Sequence, residues 1–380
     1  MLWLLCGASI ACYVYLSILS LRGNVLTDFH IYYEALGRAA RGEQVYDIAS
    51  PMPFLYPPFF LFLVWPLHWL RESAAMSVWL YAQSVLLVVS LAALLAGQRQ
   101  HARPLLPWAI VLAGVYSPIA LNNLYGQTNV LCLLLLSVFA LGYGRSIENH
   151  RSGRVWEIVA ALALSVAINI RILPLALLAM AAIERRYRLV VWAVGFSAAE
   201  ALSSAALVGP ATLWQYFTSY VWQLRGHENM REISLLALAE RIMPGAVGLA
   251  LYAIAVGLSL AIFLFLVYRP MRRIEPSAGL HLAFVITSMV LFAPLLEYHH
   301  YVILLVPYVA VLAYLARQGN LTVARALPVF CSWAIVSSAN QMSHYAMGAV
   351  AFLALLGAAI LWGYVVWLVA ASCQHEAKQS

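Results

Sequence analysis

Residues 151–188 read RSGRVWEIVAALALSVAINIRILPLALLAMAAIERRYR, and the number of times this stretch crosses a membrane decides the topology of the chain. Arginines stand at both ends: Arg151 and Arg154 before the apolar run, Arg185, Arg186 and Arg188 after it. Short loops rich in basic residues stay on the cytoplasmic side of a membrane. Both ends therefore belong to the same side, and the stretch at 156–183 must go out and come back. The turn is expected near Arg171 and Pro174, because proline removes a backbone donor and interrupts a helix. One long tilted helix would instead reverse the sidedness of every later loop.

The same rule orders the rest of the chain. Arg99 and Arg103 mark one short basic loop, Arg145, Arg151 and Arg154 the next, and Arg269, Arg272 and Arg273 another, with Arg317 and Arg325 last. Apolar segments lie near 2–21, 74–96, 104–121, 127–144, 189–209, 246–268, 280–296, 300–316, 324–340 and 347–371. With the hairpin at 156–183 this predicts about 12 spans and both termini inside, each span needing about 20 residues. The first segment lacks a basic leader, so a retained anchor is expected rather than a cleaved signal. The run FLYPPFFLFLVWPLHWL at 54–70 carries Pro57, Pro58 and Pro66 and reads as an interfacial or re-entrant helix. The expectation is an all-α polytopic membrane protein with a long first external loop, forming a single integral-membrane domain over residues 1–380.

Composition agrees. The chain is 64% hydrophobic and 10% charged, which exceeds what a soluble core needs. All but one of its 22 basic residues are arginine, and they sit in loops between apolar runs. That placement is a topology signal and excludes a nucleic-acid partner as the reason for the net charge of +7. Cys6, Cys12, Cys132, Cys331 and Cys373 all fall in apolar segments without paired spacing, as small buried hydrophobes do. No cofactor and no spaced set of zinc ligands is read from the sequence, although Asp28 and Glu297 could share a divalent cation.

The polar clusters then gather on the other, external face. They are Asp28, Glu34, Glu43 and Asp47 in the first loop, Gly126-Gln127, the hairpin tip at Asn169–Arg171, the loop 210–245, Glu297 with His299 and His300, and Asn340-Gln341 with His344. The long loops about 22–73 and 210–245 would line the site. Asp28 at the exit of the first span reads as a general base for a hydroxyl, or as a helix N-cap. Arg171 inside an apolar stretch suits bidentate contact with phosphate, or is an exposed tip. Adjacent histidines face different ways on a helix, so His299 and His300 read as phosphate donors or proton carriers, or as interfacial residues. Gln127 could bond sugar hydroxyls or polarise a turn, and the loop arginines up to Arg241 could meet an anionic headgroup or only water.

The ordered set of motifs resembles glycosyltransferase family 87, the polyprenyl-phosphate-mannose-dependent mannosyltransferases of the GT-C superfamily. The motifs are Asp28-Phe29 with Tyr32-Tyr33, Val45-Tyr46-Asp47, Tyr56-Pro57-Pro58, Gly126-Gln127-Thr128-Asn129, Arg171 before Leu173-Pro174, ISLLALAERI at 233–242 ending beside Arg241, and His299-His300. The resemblance implies a GT-C-like bundle in the cell membrane with its site on the extracytoplasmic side. It further implies an inverting transfer of a hexose, mannose above all, from a polyprenyl-phosphate sugar to a lipid or glycan acceptor. Asp28, His299 and His300 would be catalytic; Tyr32, Tyr33, Tyr56, Gln127, Asn129, Arg171, Arg241 and Glu297 would bind substrate. A transporter or flippase of a lipid-linked saccharide is the alternative, although such proteins commonly show two related halves. A non-catalytic scaffold would leave Asp28 and Arg171 without a role.

Overall fold

The structure is a computed structural model that describes residues 2–22, 26–47, 49–50, 52–98, 101–148, 152–220, 233–268, 278–294, 296–339 and 347–377. Arg99, Arg151, Arg225, His227, Glu228, Arg231, Arg269, Arg272, Arg273, Asn340, Gln341 and His344 lie outside the described residues. The described residues form helices and connecting turns: α1 (Leu2–Arg22), α2 (Thr27–Ala40), α3 (Pro58–Val64), α4 (Glu72–Ala96), α5 (Ala102–Gly114), α6 (Ser117–Tyr125), α7 (Asn129–Glu148), α8 (Gly153–Ile170) and α9 (Leu175–Ile183). They continue through α10 (Tyr187–Val208), α11 (Pro210–Gln215), α12 (Leu235–Ile242), α13 (Ala246–Ile262), α14 (Ala278–Leu291), α15 (Leu305–Arg317), α16 (Val323–Ala339) and α17 (Met347–Ala377).

Seven of these segments are long and apolar enough to cross a membrane, or eight if the bent pair α5–α6 is one span. The bend of 53° falls at Val115-Tyr116, ahead of Pro118 in the first turn of α6. Pro118 has no N–H to donate to the Gly114 carbonyl and its ring clashes with a continuing helix, so the helix breaks ahead of it. The segments expected at 280–296 and 324–340 form helices of 14 and 17 residues, short of the usual span length. The proline-rich run becomes the seven-residue α3 followed by a 3₁₀ turn at Trp65–Trp69, with Pro58 at the helix start. It is too short to span, as its prolines require.

The hairpin at 156–183 is present, and side-chain contacts show it. Arg188 Nε, at the start of α10, lies 3.8 Å from Glu157 Oε2 at the start of α8. Further along both helices, Glu200 meets Ser165 and Asn169, at 2.7 Å each. So α8 and α10 run parallel, and the chain between them must return. It does so through an extended Arg171 and the nine-residue α9. At 1.5 Å per residue α9 is about 14 Å long, roughly half a bilayer core, so this limb is a short return rather than a second full span.

Small residues let the helices close up. A Cβ at Gly142 of α7 would come within 2.9 Å of the Trp156 carbonyl oxygen on α8, so only glycine permits this crossing. The contacts sort the loops into two ends of the bundle. At one end Arg145 donates to the Ala96 carbonyl, Arg186 lies over the Tyr143 ring, and His281 pairs with Glu184 at 2.8 Å. At the other end sit Asp28, Gln127, Arg171 and Glu297 to His300.

Candidate active site

The site is built outward from one turn. Gly126 ends α6 in the left-handed region (φ 72°), and a Cβ there would sit 2.9 Å from the Phe29 Cβ of α2. Glycine therefore serves twice, permitting the turn and admitting α2 beside it. Asn122 Oδ1 accepts from both the backbone and the side-chain nitrogen of Asn129, and Trp79 Nε1 donates to the Gly126 carbonyl at 2.8 Å. The turn so held presents Gln127 and Thr128 to the site.

Gln127 is the hub. Its amide nitrogen donates to Asp28 Oδ2. Its oxygen accepts from Tyr56 Oη at 2.8 Å, Arg171 at 2.9 Å and Tyr32 Oη at 3.4 Å. One amide thus links the acid to the guanidinium, using the opposite polarities of its two ends. Arg171 also donates to Tyr56 Oη at 3.1 Å and Thr128 Oγ1 at 3.4 Å, and contacts His300 Nε2. The guanidinium lies over the Tyr56 ring, 5.4 Å from its centroid.

Asp28 lies in the first turn of α2, which has no side-chain cap. Its carboxylate is turned to Gln127, so the N-cap reading does not describe it. Burial pushes the Asp28 carboxyl above the ordinary carboxylate range; nearby His299 and the Gln127 bond pull it back, Glu297 pushes it up and Arg171 lowers it. Burial likewise raises the Tyr32 and Tyr56 phenols, so both keep their protons as donors.

The histidine pair stands in the 3₁₀ turn Tyr298–Leu304 that leads into α15. The Glu297 backbone N–H donates to His300 Nδ1 at 2.9 Å. A neutral imidazole has one donor and one acceptor nitrogen, so this bond places the proton on Nε2. His300 Nε2–H and the Arg171 guanidinium then meet as two donors, an arrangement that an anionic oxygen between them would satisfy. His299 Nε2 is 2.9 Å from Glu297 Oε2, at ion-pair distance but without hydrogen-bond alignment. Glu297, His299 and His300 hold their ligand-type atoms within 4.8 Å of one another. A cation is disfavoured there because His300 faces an arginine and its other nitrogen is taken.

Three tyrosines fix the loop that carries Tyr56. Tyr220 Oη donates to the Phe54 carbonyl at 2.8 Å, Tyr216 Oη to that of Leu55 at 3.4 Å, and Tyr46 Oη to that of Tyr56 at 2.9 Å. Three consecutive carbonyls are thereby occupied. Tyr216 and Tyr220 come from the π-helical end of α11, in the second long loop. That loop also docks beside the histidines, where Ile233 N donates to the Leu296 carbonyl at 2.6 Å.

Of the residues expected at the site, the structure brings together Asp28, Tyr32, Tyr56, Gln127, Arg171, Glu297, His299 and His300. Asn129 is buried behind the turn, which it braces. Tyr33 points away, donating to the Leu70 carbonyl at 2.7 Å. Arg241 is exposed on the last turn of α12, and the bonds that build the cluster are made without it. Sequence reading passes over Tyr216, Tyr220 and Glu200. The last is an acid inside an apolar run, and that is a signal in itself.

The profile of glycosyltransferase family 87 matches residues 54–294. That range includes Tyr56, Gln127 and Arg171, whereas Asp28 and the histidine pair fall outside it. No curated protein matches the chain. Matching solved structures include ArnT from Cupriavidus metallidurans bound to undecaprenyl phosphate, 14% identical with a TM-score of 0.48, and the same protein in its apo state, 13% identical with a TM-score of 0.45. Each match covers 97% of this chain and 77% of ArnT, and at that distance no residue is carried across. With the family profile spanning more than half its length, this chain belongs to glycosyltransferase family 87.

Proposed function

We propose that this membrane glycosyltransferase moves a hexose, specifically mannose, from a polyprenyl-phosphate donor to a hydroxyl of a lipid or glycan acceptor. The observation that carries the reading is the pair of donors, Arg171 and His300 Nε2–H, linked through Gln127 to a carboxylate on α2. A phosphate ester placed between the donors has its charge met as it develops, while its polyprenyl tail lies along the apolar helices. Asp28 takes the proton of the acceptor hydroxyl. The hydroxyl oxygen bonds to the anomeric carbon from the face opposite the phosphate, the carbon–oxygen bond to phosphate breaks, and polyprenyl phosphate leaves. The result is inversion. The alternation of basic loops supports a multi-pass protein of the cell membrane with this site on the extracytoplasmic side.

The test is transfer of label from polyprenyl-phosphate mannose to endogenous lipid or glycan in membranes holding the wild type or Asp28→Asn. The reading expects transfer by the wild type and a loss of roughly 10²–10⁴-fold in the variant. Transfer from a different polyprenyl-phosphate sugar would correct the hexose; near-normal turnover by Asp28→Asn would remove the general base.

A further inference from the structure

Toward the opposite end of the bundle a crevice of about 110 Å³ opens between the ends of α4 and α7 and the start of α14, and runs along α15 from Val306 to Arg317. Gln98, Arg145 and Arg317 are its polar lining, with Gly97, Gly144 and Gly279 making room between apolar walls. Arg317 reaches over the α14 start, its guanidinium 3.6 Å from where a Gly279 Cβ would be. Arg145 spends one terminal nitrogen on the Ala96 carbonyl, as a basic residue at a helix C-terminus does. Among the described residues, however, its buried Nε–H has no partner, and neither has the buried Gln98 side-chain oxygen. An unmet donor and an unmet acceptor in one crevice are each destabilising while they stay unmatched. Arg145 and Arg317 make the described lining cationic, which favours an anion. The Gln98 oxygen offers an acceptor to an anion that carries a hydrogen-bond donor of its own.

We propose that this crevice binds a phosphate ester with a neighbouring hydroxyl, the chemistry of a glycerol-type anionic phospholipid headgroup or of free glycerol phosphate. Arginine and the Arg145 Nε–H take the phosphate oxygens. Gln98 takes the hydroxyl, and the apolar walls take the carbon skeleton. The site is separate from the transferase centre and does not depend on it.

The experiment uses the full chain in detergent, with native mass spectrometry for adducts and the thermal unfolding midpoint for stability. The probes are phosphatidylglycerol, phosphatidylcholine (which lacks the donor) and glycerol phosphate. Phosphatidylglycerol adducts and an upward midpoint shift are expected in wild type and in Asp28→Asn. Adducts should fall at least tenfold in Arg145→Gln/Arg317→Gln. Gly144→Leu keeps both arginines and grows its side chain from a position with nothing within 4 Å, so it serves if the double variant fails to fold; it should lose the adduct too. A shift with glycerol phosphate alone assigns the site to a soluble ester, and a shift with the lipid alone assigns it to the membrane. Equal retention of the two lipids, or phosphatidylglycerol retention unchanged in both variants, overturns the proposal.

Discussion

The two ends of this bundle use the same residue type to opposite purposes. At one end Arg171 is partly buried and shared among Gln127, Tyr56, Thr128 and His300. At the other, Arg188 has a side chain 59% exposed and a loose pairing with Glu157. A charge held among fixed donors and acceptors in low dielectric acts strongly on whatever enters, whereas an exposed pair is screened by water. Enclosure therefore separates a site from a topology signal, and the number of charges does not.

The largest effect that would break this contrast is at Asp28. Asp28→Asn should cost roughly 10²–10⁴-fold in turnover with the fold intact. The pH profile sharpens the same point. The carboxyl is pushed upward by burial, and a general base works only when ionised. Activity should therefore fall as pH drops through a value above the ordinary carboxylate range, and that limb should vanish in the variant. A limb within the ordinary range would show that Asp28 is more solvated than its contacts imply. The sign for stability is opposite. A raised carboxyl contributes stability below its unfolded pKa and loses it as pH rises through the folded one, so Asp28→Asn should be no less stable than wild type at neutral pH.

Next comes Arg171→Gln, expected to lower turnover by about 10²–10³-fold if it meets developing phosphate charge. Arg171→Lys should fail to restore it, since an ammonium cannot reproduce the fork toward Tyr56, Gln127 and His300. Full rescue by lysine would reduce the site to a point charge. A smaller effect belongs to the tyrosine pegs. Tyr216→Phe and Tyr220→Phe should each cost about 0.5–1.5 kcal/mol in unfolding, and together raise KM more than they lower kcat. An unchanged KM would mean that the 54–56 loop is held without them. Smallest is Arg188→Gln at the basic end, where stability should change by less than about 1 kcal/mol and turnover not at all. A tenfold loss of turnover there would collapse the distinction between the ends.

Much of the fold was legible because membrane insertion leaves marks of its own along the chain. Arginines at both ends of 156–183 required a return, and Glu157–Arg188 and Glu200–Ser165 show the parallel helices that a return implies. The span count was less legible. Apolar length does not reveal where Pro118 bends a helix or how short the limb at α9 becomes. In the site, Arg171 stood out as a charge inside an apolar stretch, whereas Asp28, Gln127 and the histidine pair stood out as members of an ordered set of polar motifs. Asn129 and Tyr33 matched the same motifs yet serve the turn and the loop, because a motif carries residue types and not the direction of side chains.

What the sequence by itself determined is the class of the protein, the return of the chain at 156–183 and the set of polar residues from which a site could be assembled. Hydrophobic runs and arginine placement act locally, through insertion energetics, and are readable one segment at a time. Only the tertiary structure decided that Gln127 bridges Asp28 to Arg171, that the Glu297 N–H leaves His300 with its proton facing the guanidinium, and that Tyr216 and Tyr220 pin a loop more than 150 positions earlier. Those relations join segments far apart in the chain. They follow from hydrogen-bond directions and close packing, which no local pattern encodes.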